Sequence, residues 1–245
     1  HLDHAGGAGA LLRELPKAVA VLHPRGAPHL IEPEKLIAAS KVVYGEQSYR
    51  RLYGDIVPIP EARVIRTQDG TRLGLEGRVF EFIHTPGHAL HHHCIVDLEH
   101  RAIFSGDTFG VSYRELDSEQ GAFVVPATTP TQFDPDQLIA SIDRQLSYRP
   151  QSIYLMHYSR VTGIDRLGES LKAGVREVAE IARRHATAAD PLAAMTRAML
   201  DSWVRRAREQ GAPVSERQAE ELLRMDAELN AQGLVVWLER QKRAV

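Results

Sequence analysis

The sequence predicts a mixed α/β fold followed by a helical C-terminal part. Short apolar runs bounded by turn residues alternate with helical segments as far as about residue 163. Beyond that point apolar residues recur only at helical spacing, and helix-start signals stand at Asp165, Asp190 and Ser215. We therefore predict a mixed domain over residues 1–163 and a helical extension over residues 164–245.

The apolar runs of the mixed part are the predicted strands, and Asp69-Gly70 predicts a hairpin between the second and third of them. Pro33 and Asp134 mark the starts of two helices. The predicted strands are Ala18–Leu22, Val64–Thr67, Arg72–Leu75, Val79–His84, Ile95–Asp97, Ala102–Phe104 and Ile153–Met156.

Two further local patterns predict features of the second half of the chain. Residues 110–132 show no periodicity and are predicted to form a long loop, which in a compact domain is usually functional. In the helical part, Ser215 and Gln218 have the spacing of a capping box, and Gly233 is expected to interrupt the last helix. Trp203 and Trp237 are expected to be packing anchors.

Composition narrows the function classes. The chain has 245 residues, 43% hydrophobic and 25% charged, which is typical of a globular protein. Lys and Arg number 30 against 32 Asp and Glu, so charge favours neither nucleic acid nor an anionic membrane as a partner. A single cysteine, Cys94, excludes an internal disulfide and favours a cytoplasmic protein, with any signal peptide upstream of His1 left open.

Four separated patches carry metal-ligand side chains, and three of them follow a predicted strand. Imidazoles and carboxylates together suit zinc, iron or manganese. They converge only if a cation offsets their charge and their desolvation. Taken singly, each patch is more often a hydrogen-bonded or turn residue. The patches are His1-Leu2-Asp3-His4, Thr85-Pro86-Gly87-His88, Ser105-Gly106-Asp107 and Leu155-Met156-His157.

In this order the patches resemble the motifs of the metallo-β-lactamase-fold hydrolases, particularly their glyoxalase II-like branch. That family carries H-x-H-x-D-H, a T-P-G-H turn, a strand ending in G-D and a strand ending in histidine. The resemblance covers residues 1–163 and is more specific for family than for substrate. It implies a four-layer αβ/βα sandwich and a dinuclear metal site. The ligands it implies are His1 and His88 for one metal, Asp3, His4 and His157 for the other, and Asp107 as the bridge.

The resemblance also bears on the start of the chain. His1 aligns with the second histidine of H-x-H-x-D-H, so the first histidine and the strands before it would be missing. We therefore expect an N-terminally truncated chain that lacks its first strands and is a poorer enzyme than its parent.

The function implied is hydrolysis of an ester-like bond, a thioester, ester or lactone, in a small-molecule substrate. A hydroxide held by two divalent ions, zinc first with iron or manganese as alternatives, would attack, with Asp3 and Asp107 as the catalytic carboxylates. No G-x-S-x-G elbow points to a serine nucleophile. One rival is an iron-dependent redox enzyme of the same fold, similar to persulfide dioxygenases. Another is a non-catalytic binding protein.

Other residues near these motifs have ordinary interpretations. The histidines after the T-P-G-H turn are expected to make structural hydrogen bonds, and His84 to be a strand residue. Cys94 is expected to be a buried, inert thiol. Tyr158 is left open between a substrate contact and packing. The remaining candidates, expected at the surface, are Tyr113 and Arg114.

Overall fold

The computed structural model describes residues 1–128 and 132–243. The chain divides into two compact units, His1–Thr71 and Arg72–Val245. The boundary that we predicted near residue 163 stays a prediction. Within the described residues, none of the helices combines the length and apolarity needed to span a bilayer.

The first unit consists of short helices and one small sheet, in which β1 and β2 pair in parallel. A 3-10 turn at Glu61–Arg63 precedes β2. The elements are α1 (Leu2–Ala5), α2 (Ala8–Glu14), β1 (Ala20–Leu22), α3 (Ala27–Ile31), α4 (Glu34–Tyr44), α5 (Glu46–Tyr53) and β2 (Val64–Arg66).

A small apolar cluster and one arginine hold the first unit together. The cluster is centred on the buried side chains of Leu12, Leu30 and Ile59. The guanidinium of Arg63 donates to the carbonyl oxygens of Leu12, at 2.7 Å, and Ala18, at 2.9 Å. Because carbonyl groups within and after α2 accept from this one side chain, Arg63 fixes the segment that leads from α2 into β1.

The second unit is built around a six-stranded sheet with the order β10-β9-β6-β5-β4-β3 in the described residues. Neighbouring strands are antiparallel where register is defined, except β6 and β9, which are parallel. The elements are β3 (Thr71–Leu75), β4 (Arg78–His84), β5 (His93–Asp97), β6 (Ala102–Gly106), β7 (Val111–Ser112), β8 (Val124–Val125), α6 (Pro135–Ser147), β9 (Ser152–Leu155), β10 (Ser159–Val161), α7 (Ile164–His185), α8 (Pro191–Glu209) and α9 (Glu216–Arg243).

The core of this second unit is continuous from the sheet to the three C-terminal helices. Ile103 of β6, Leu167 of α7 and Trp203 of α8 are all fully buried in one apolar cluster. The helices bury their apolar stripes against the sheet and against one another, because those stripes would otherwise face water. The predicted packing roles of Trp203 and Trp237 are confirmed by their burial.

The predicted fold class is confirmed: a mixed α/β chain with a central mixed sheet and a helical C-terminal part. Residues 165–243 contain helices and no strand among those described. The capping box is also present, since the backbone N–H of Gln218 donates to Ser215 Oγ at 3.3 Å and that of Ser215 to Gln218 Oε1 at 3.0 Å.

Three local predictions were wrong. The turn at Asp69-Gly70 forms, but β2 pairs with β1 instead of completing a hairpin with β3. The loop predicted over residues 110–132 contains the strand pair β7–β8, and its residues 129–131 lie outside the described part of the chain. Gly233 does not interrupt α9, where it is buried within the helix. Long-range pairing and packing outweigh local signals of about 1 kcal/mol in each case.

Candidate metal centre

His88 is placed by the turn that follows β4. Gly87 has a φ of +118°, and a Cβ there would lie 2.2 Å from the backbone nitrogen of Leu138, at the start of α6. Only glycine allows both this conformation and this approach. The turn therefore packs against α6 and directs His88, which is 2% exposed, inward.

One hydrogen bond fixes the tautomer of His88. Its Nδ1 lies 2.9 Å from the carbonyl oxygen of Ala127. Because a carbonyl oxygen only accepts, Nδ1 carries the proton in the neutral ring, and Nε2 presents its lone pair. A backbone or carboxylate partner on the distal nitrogen is typical of histidines that ligate metals.

Asp107 follows a bulge at the end of β6. The register with β9 shifts between Phe104 and Gly106, so Ser105 is an extra residue opposite its partner strand. Bulges bend a strand and redirect the side chains that follow it. The carboxylate of Asp107, 5% exposed, is thereby directed toward the ends of the neighbouring strands.

His157 comes from the connection between β9 and β10. The next two residues, Tyr158 and Ser159, have φ values of +73° and +78°. Left-handed backbone at two consecutive non-glycine residues is uncommon and concentrates at functional sites. The turn brings the half-exposed imidazole of His157 to the carboxylate of Asp107.

The three side chains of the second unit meet at the carboxylate. His88 Nε2 lies 3.1 Å from Asp107 Oδ2, and His157 Nε2 lies 3.4 Å from Asp107 Oδ1. Each carboxylate oxygen thus faces a different imidazole, as a bridging carboxylate would. The lone pair of neutral His88 faces an anionic oxygen in a buried position, which is unfavourable unless a cation or a proton lies between them. This donor set fits divalent metal ions with nitrogen and oxygen ligands.

The remaining three predicted ligands lie in the first unit, on or beside α1. Asp3 Oδ2 is 3.3 Å from His4 Nε2, and the rings of His1 and His4 are 6.1 Å apart. Gly9 of α2 packs against the backbone at Val57, where a Cβ on Gly9 would lie 1.8 Å from the carbonyl oxygen. Only glycine therefore fits at this position. That Asp3, His4 and His1 join the ligands of the second unit stays a prediction.

A tyrosine and a carboxylate that the motifs do not include lie near His157. The hydroxyl of Tyr113 donates to Asp226 Oδ2 of α9 at 2.6 Å, and the ring of Tyr113 packs on Tyr158 at 4.6 Å. Burial raises the pKa of Asp226, while the hydrogen bond from Tyr113 and the charge of His157 oppose the rise. The surface position that we predicted for Tyr113 is wrong, because it is 7% exposed and Asp226 binds its hydroxyl. No local pattern marks Asp226, which stands inside a helix far along the chain.

Four of the other local interpretations are confirmed. His84 is the last residue of β4, and Arg114 is exposed. Cys94 is fully buried, and burial raises the pKa of its thiol to about 11. His92 makes structural hydrogen bonds, to Thr85 Oγ1 at 2.8 Å and from the backbone N–H of Asp107 at 3.2 Å.

Comparison with known proteins identifies the fold independently. A metallo-beta-lactamase fold-containing protein of Sulfurisphaera tokodaii is 27% identical over 161 residues, a region that covers 64% of this chain. The match spans 57% of the length of that relative.

Two crystal structures resemble this chain in fold. One is an archaeal metallo-beta-lactamase superfamily protein from Sulfolobus tokodaii, with a TM-score of 0.58 and 21% sequence identity. The matched region covers 92% of this chain and 73% of the Sulfolobus chain. The other is a metallo-beta-lactamase family protein from Thermus thermophilus, with a TM-score of 0.56 and 17% sequence identity. The matched region covers 97% of this chain and 71% of the Thermus chain.

The family model described as the metallo-beta-lactamase superfamily matches residues 1–157. These residues include all four ligand-bearing patches, from His1 to His157. Since the match takes in well over half of the chain, this protein belongs to the metallo-beta-lactamase superfamily.

Proposed function

We propose that this protein is a metal-dependent hydrolase of the glyoxalase II-like branch that cleaves a thioester, ester or lactone in a small-molecule substrate. The observation that carries the proposal is the carboxylate of Asp107, whose two oxygens face His88 at 3.1 Å and His157 at 3.4 Å. A carboxylate shared between two imidazoles is suited to bridge two cations.

The ligand set that we propose combines both units of the chain. His88 and His1 would hold one cation, and His157, Asp3 and His4 the other, with Asp107 between them. When bound, such a pair of cations, zinc first with iron or manganese as alternatives, supplies an ionised water at neutral pH and polarises a carbonyl oxygen.

The residues of this chain would then bind and orient. Asp107 fixes the spacing between the two ligand groups, and Asp3 would accept a hydrogen bond from the attacking water. His157 is half-exposed and Tyr158 is exposed, so both side chains would be accessible to a substrate. The balanced charge of the chain supports a small-molecule substrate over a nucleic acid or a membrane surface.

Metal content and hydrolysis test this proposal together. The purified protein is stripped with a chelator and reloaded with zinc, iron(II) or manganese. Bound metal is then counted, and hydrolysis of a thioester, a lactone, a simple ester and a β-lactam is followed. We expect two cations per chain and faster turnover of the first three substrates than of the β-lactam.

Variants tie the activity to the site. His157→Ala should lose a cation and most of the activity. His100→Ala is the matched control, because His100 is a half-exposed histidine whose partner is Asp97, at the far end of β5. Oxygen consumption with iron and no hydrolysis would indicate the redox alternative instead. A protein that binds no cation at all would contradict the proposal.

A further inference from the structure

A row of buried polar side chains lies behind the carboxylate of Asp107, and the ligand set does not use it. Such groups are stable inside a core only when they have hydrogen-bond partners. Every member of the row except His92 is at most 1% exposed. The members are the side chains of Thr85, His92, Cys94, Thr108 and Gln145, together with the backbone carbonyl of Ser105.

His92 connects this row to Asp107. Its Nε2 accepts the backbone N–H of Asp107 at 3.2 Å. Its ring also lies against Gly106, where a Cβ would come within 2.3 Å of Nε2 and where φ is +52°. The glycine of the Ser-Gly-Asp motif therefore leaves room for this imidazole, and the imidazole holds the peptide that carries the carboxylate.

The direction of each hydrogen bond in the row is set by its two end groups, because the N–H of Asp107 can only donate and the carbonyl oxygen of Ser105 can only accept. Because Nε2 accepts, the proton of neutral His92 lies on Nδ1 and is donated to Thr85 Oγ1 at 2.8 Å. Thr85 then donates to Cys94 Sγ at 3.2 Å, and the thiol donates to the carbonyl oxygen of Ser105 at 3.3 Å. Burial raises the pKa of this thiol to about 11, so it keeps the proton that it donates.

The row ends on the bulge that redirects Asp107. The carbonyl oxygen of Ser105 also accepts from Thr108 Oγ1 at 2.9 Å, and Thr108 Oγ1 accepts from the amide of Gln145 at 3.0 Å. Both the extra residue of the bulge and the peptide N–H of Asp107 are thus held by the same set of side chains.

We propose that His92 is a positioning residue, fixed in its Nδ1–H tautomer by Thr85, that holds the backbone of Asp107 so that its carboxylate lies between His88 and His157. This inference rests on the proposed function for its metal readout only. His92 uses one ring nitrogen to accept from the protein backbone and the other to donate to Thr85, so it acts through Asp107 and not as a ligand.

The test compares variants that remove the acceptor of the Asp107 N–H with variants that restore it. His92→Leu removes the acceptor at similar volume, whereas His92→Gln places an amide oxygen near the position of Nε2. Thr85→Val removes the hydroxyl that accepts from His92 and donates to Cys94, and Thr85→Ser restores that hydroxyl. His100→Leu, at a half-exposed histidine bonded to Asp97, is the control.

Two readouts are measured on each variant. The first is hydrogen exchange of the Asp107 amide in the protein without metal. The second is zinc affinity, by competition with a chromophoric chelator. We expect His92→Leu to expose the Asp107 amide to exchange and to weaken zinc binding roughly 10–100-fold, as is typical when a group that orients a ligand is lost. His92→Gln should recover most of both.

The outcomes separate this inference from the proposed function. An Asp107 amide that is equally protected in His92→Leu overturns the inference, as does a His92→Gln variant no better than His92→Leu. If His92→Leu does not fold, Thr85→Val against Thr85→Ser decides by the same readouts. A wild-type protein that binds none of zinc, iron(II) and manganese contradicts the proposed function, and the exchange of the Asp107 amide still decides the role of His92.

Discussion

The two units of this chain are built differently, although we assign ligands to both. The second unit buries one continuous core from the sheet to its last helix, while the core of the first unit centres on Leu12, Leu30 and Ile59. In the second unit, each ligand follows a strand backed by that core. In the first, Asp3 and His4 lie on α1, a helix of four residues.

Helix ends show part of this contrast. In the second unit, Asp134 caps α6 by accepting from the N–H of Gln137 at 2.9 Å, and Asp190 caps α8 by accepting from the N–H of Ala193 at 3.0 Å. The N-caps of α1 to α5 in the first unit make no side-chain capping bond to their helices, and neither does Gly163 before α7 of the second unit. Ligands on strand ends are therefore held by packing, whereas those on α1 depend on a small local cluster.

The largest expected effect separates the two cores. Trp203→Ala should destabilise the second unit by about 3–5 kcal/mol, because Trp203 is fully buried. Ile59→Ala should remove hydrogen-exchange protection from the first unit, which has few other fully buried apolar side chains. Amides of the six-stranded sheet should stay protected in Ile59→Ala. Loss of protection in that sheet would show that the two units unfold together.

A second prediction concerns acid. Burial lowers the pKa of His93 to about 4, with a smaller contribution from His84. As pH falls below the ordinary value of 6.5, the unfolded chain takes up this proton before the folded chain does, so stability is lost between pH 6.5 and 4. The loss from one such group reaches about 3 kcal/mol.

The measurement is denaturant unfolding from pH 7 to 4 with a chelator present. His93→Gln should flatten the acid limb. His29→Gln, in the first unit, should flatten it less, because His29 is less buried, although burial lowers its pKa in the same direction. Identical acid limbs for His93→Gln and wild type would contradict the shift at His93.

A third prediction concerns alkali and Cys94, which stands in the second unit. With the thiol pKa raised to about 11, the unfolded chain loses this proton near pH 9 while the folded chain retains it. Stability should therefore fall as pH rises from 9 to 11, by about 2–3 kcal/mol. Cys94→Ala should be less stable at pH 7 but should lack this alkaline slope. Parallel alkaline slopes in the two proteins would mean that the thiol titrates normally.

The smallest expected effects are at the helix caps. Asp134→Ala and Asp190→Ala should each cost about 1 kcal/mol, because each leaves an N-terminal amide without its side-chain acceptor. Asp134→Asn and Asp190→Asn keep an acceptor and serve as controls. The loss is measured as a shift of the unfolding midpoint, and a similar shift in the Asn variants would assign it to charge instead of capping.

Local pattern was sufficient for much of the fold and for the ligand patches of the second unit. Strands such as β4 and β6 are visible as short apolar runs, and His88 and Asp107 follow them closely. The starts of α6, α8 and α9 are readable because a cap depends on residues three apart. These features involve neighbours along the chain, so the sequence by itself determined them.

Tertiary structure decided what depends on distant partners. Distant segments meet where β2 pairs with β1 and where Tyr113 is buried against Asp226. The continuation of α9 through the buried Gly233 likewise depends on packing that no local pattern shows. The same holds for His92, which local sequence describes only as one of several histidines after a turn. Its role follows from the position of Gly106 and the N–H of Asp107, because a hydrogen bond is specified by geometry across strands and not by spacing along the chain.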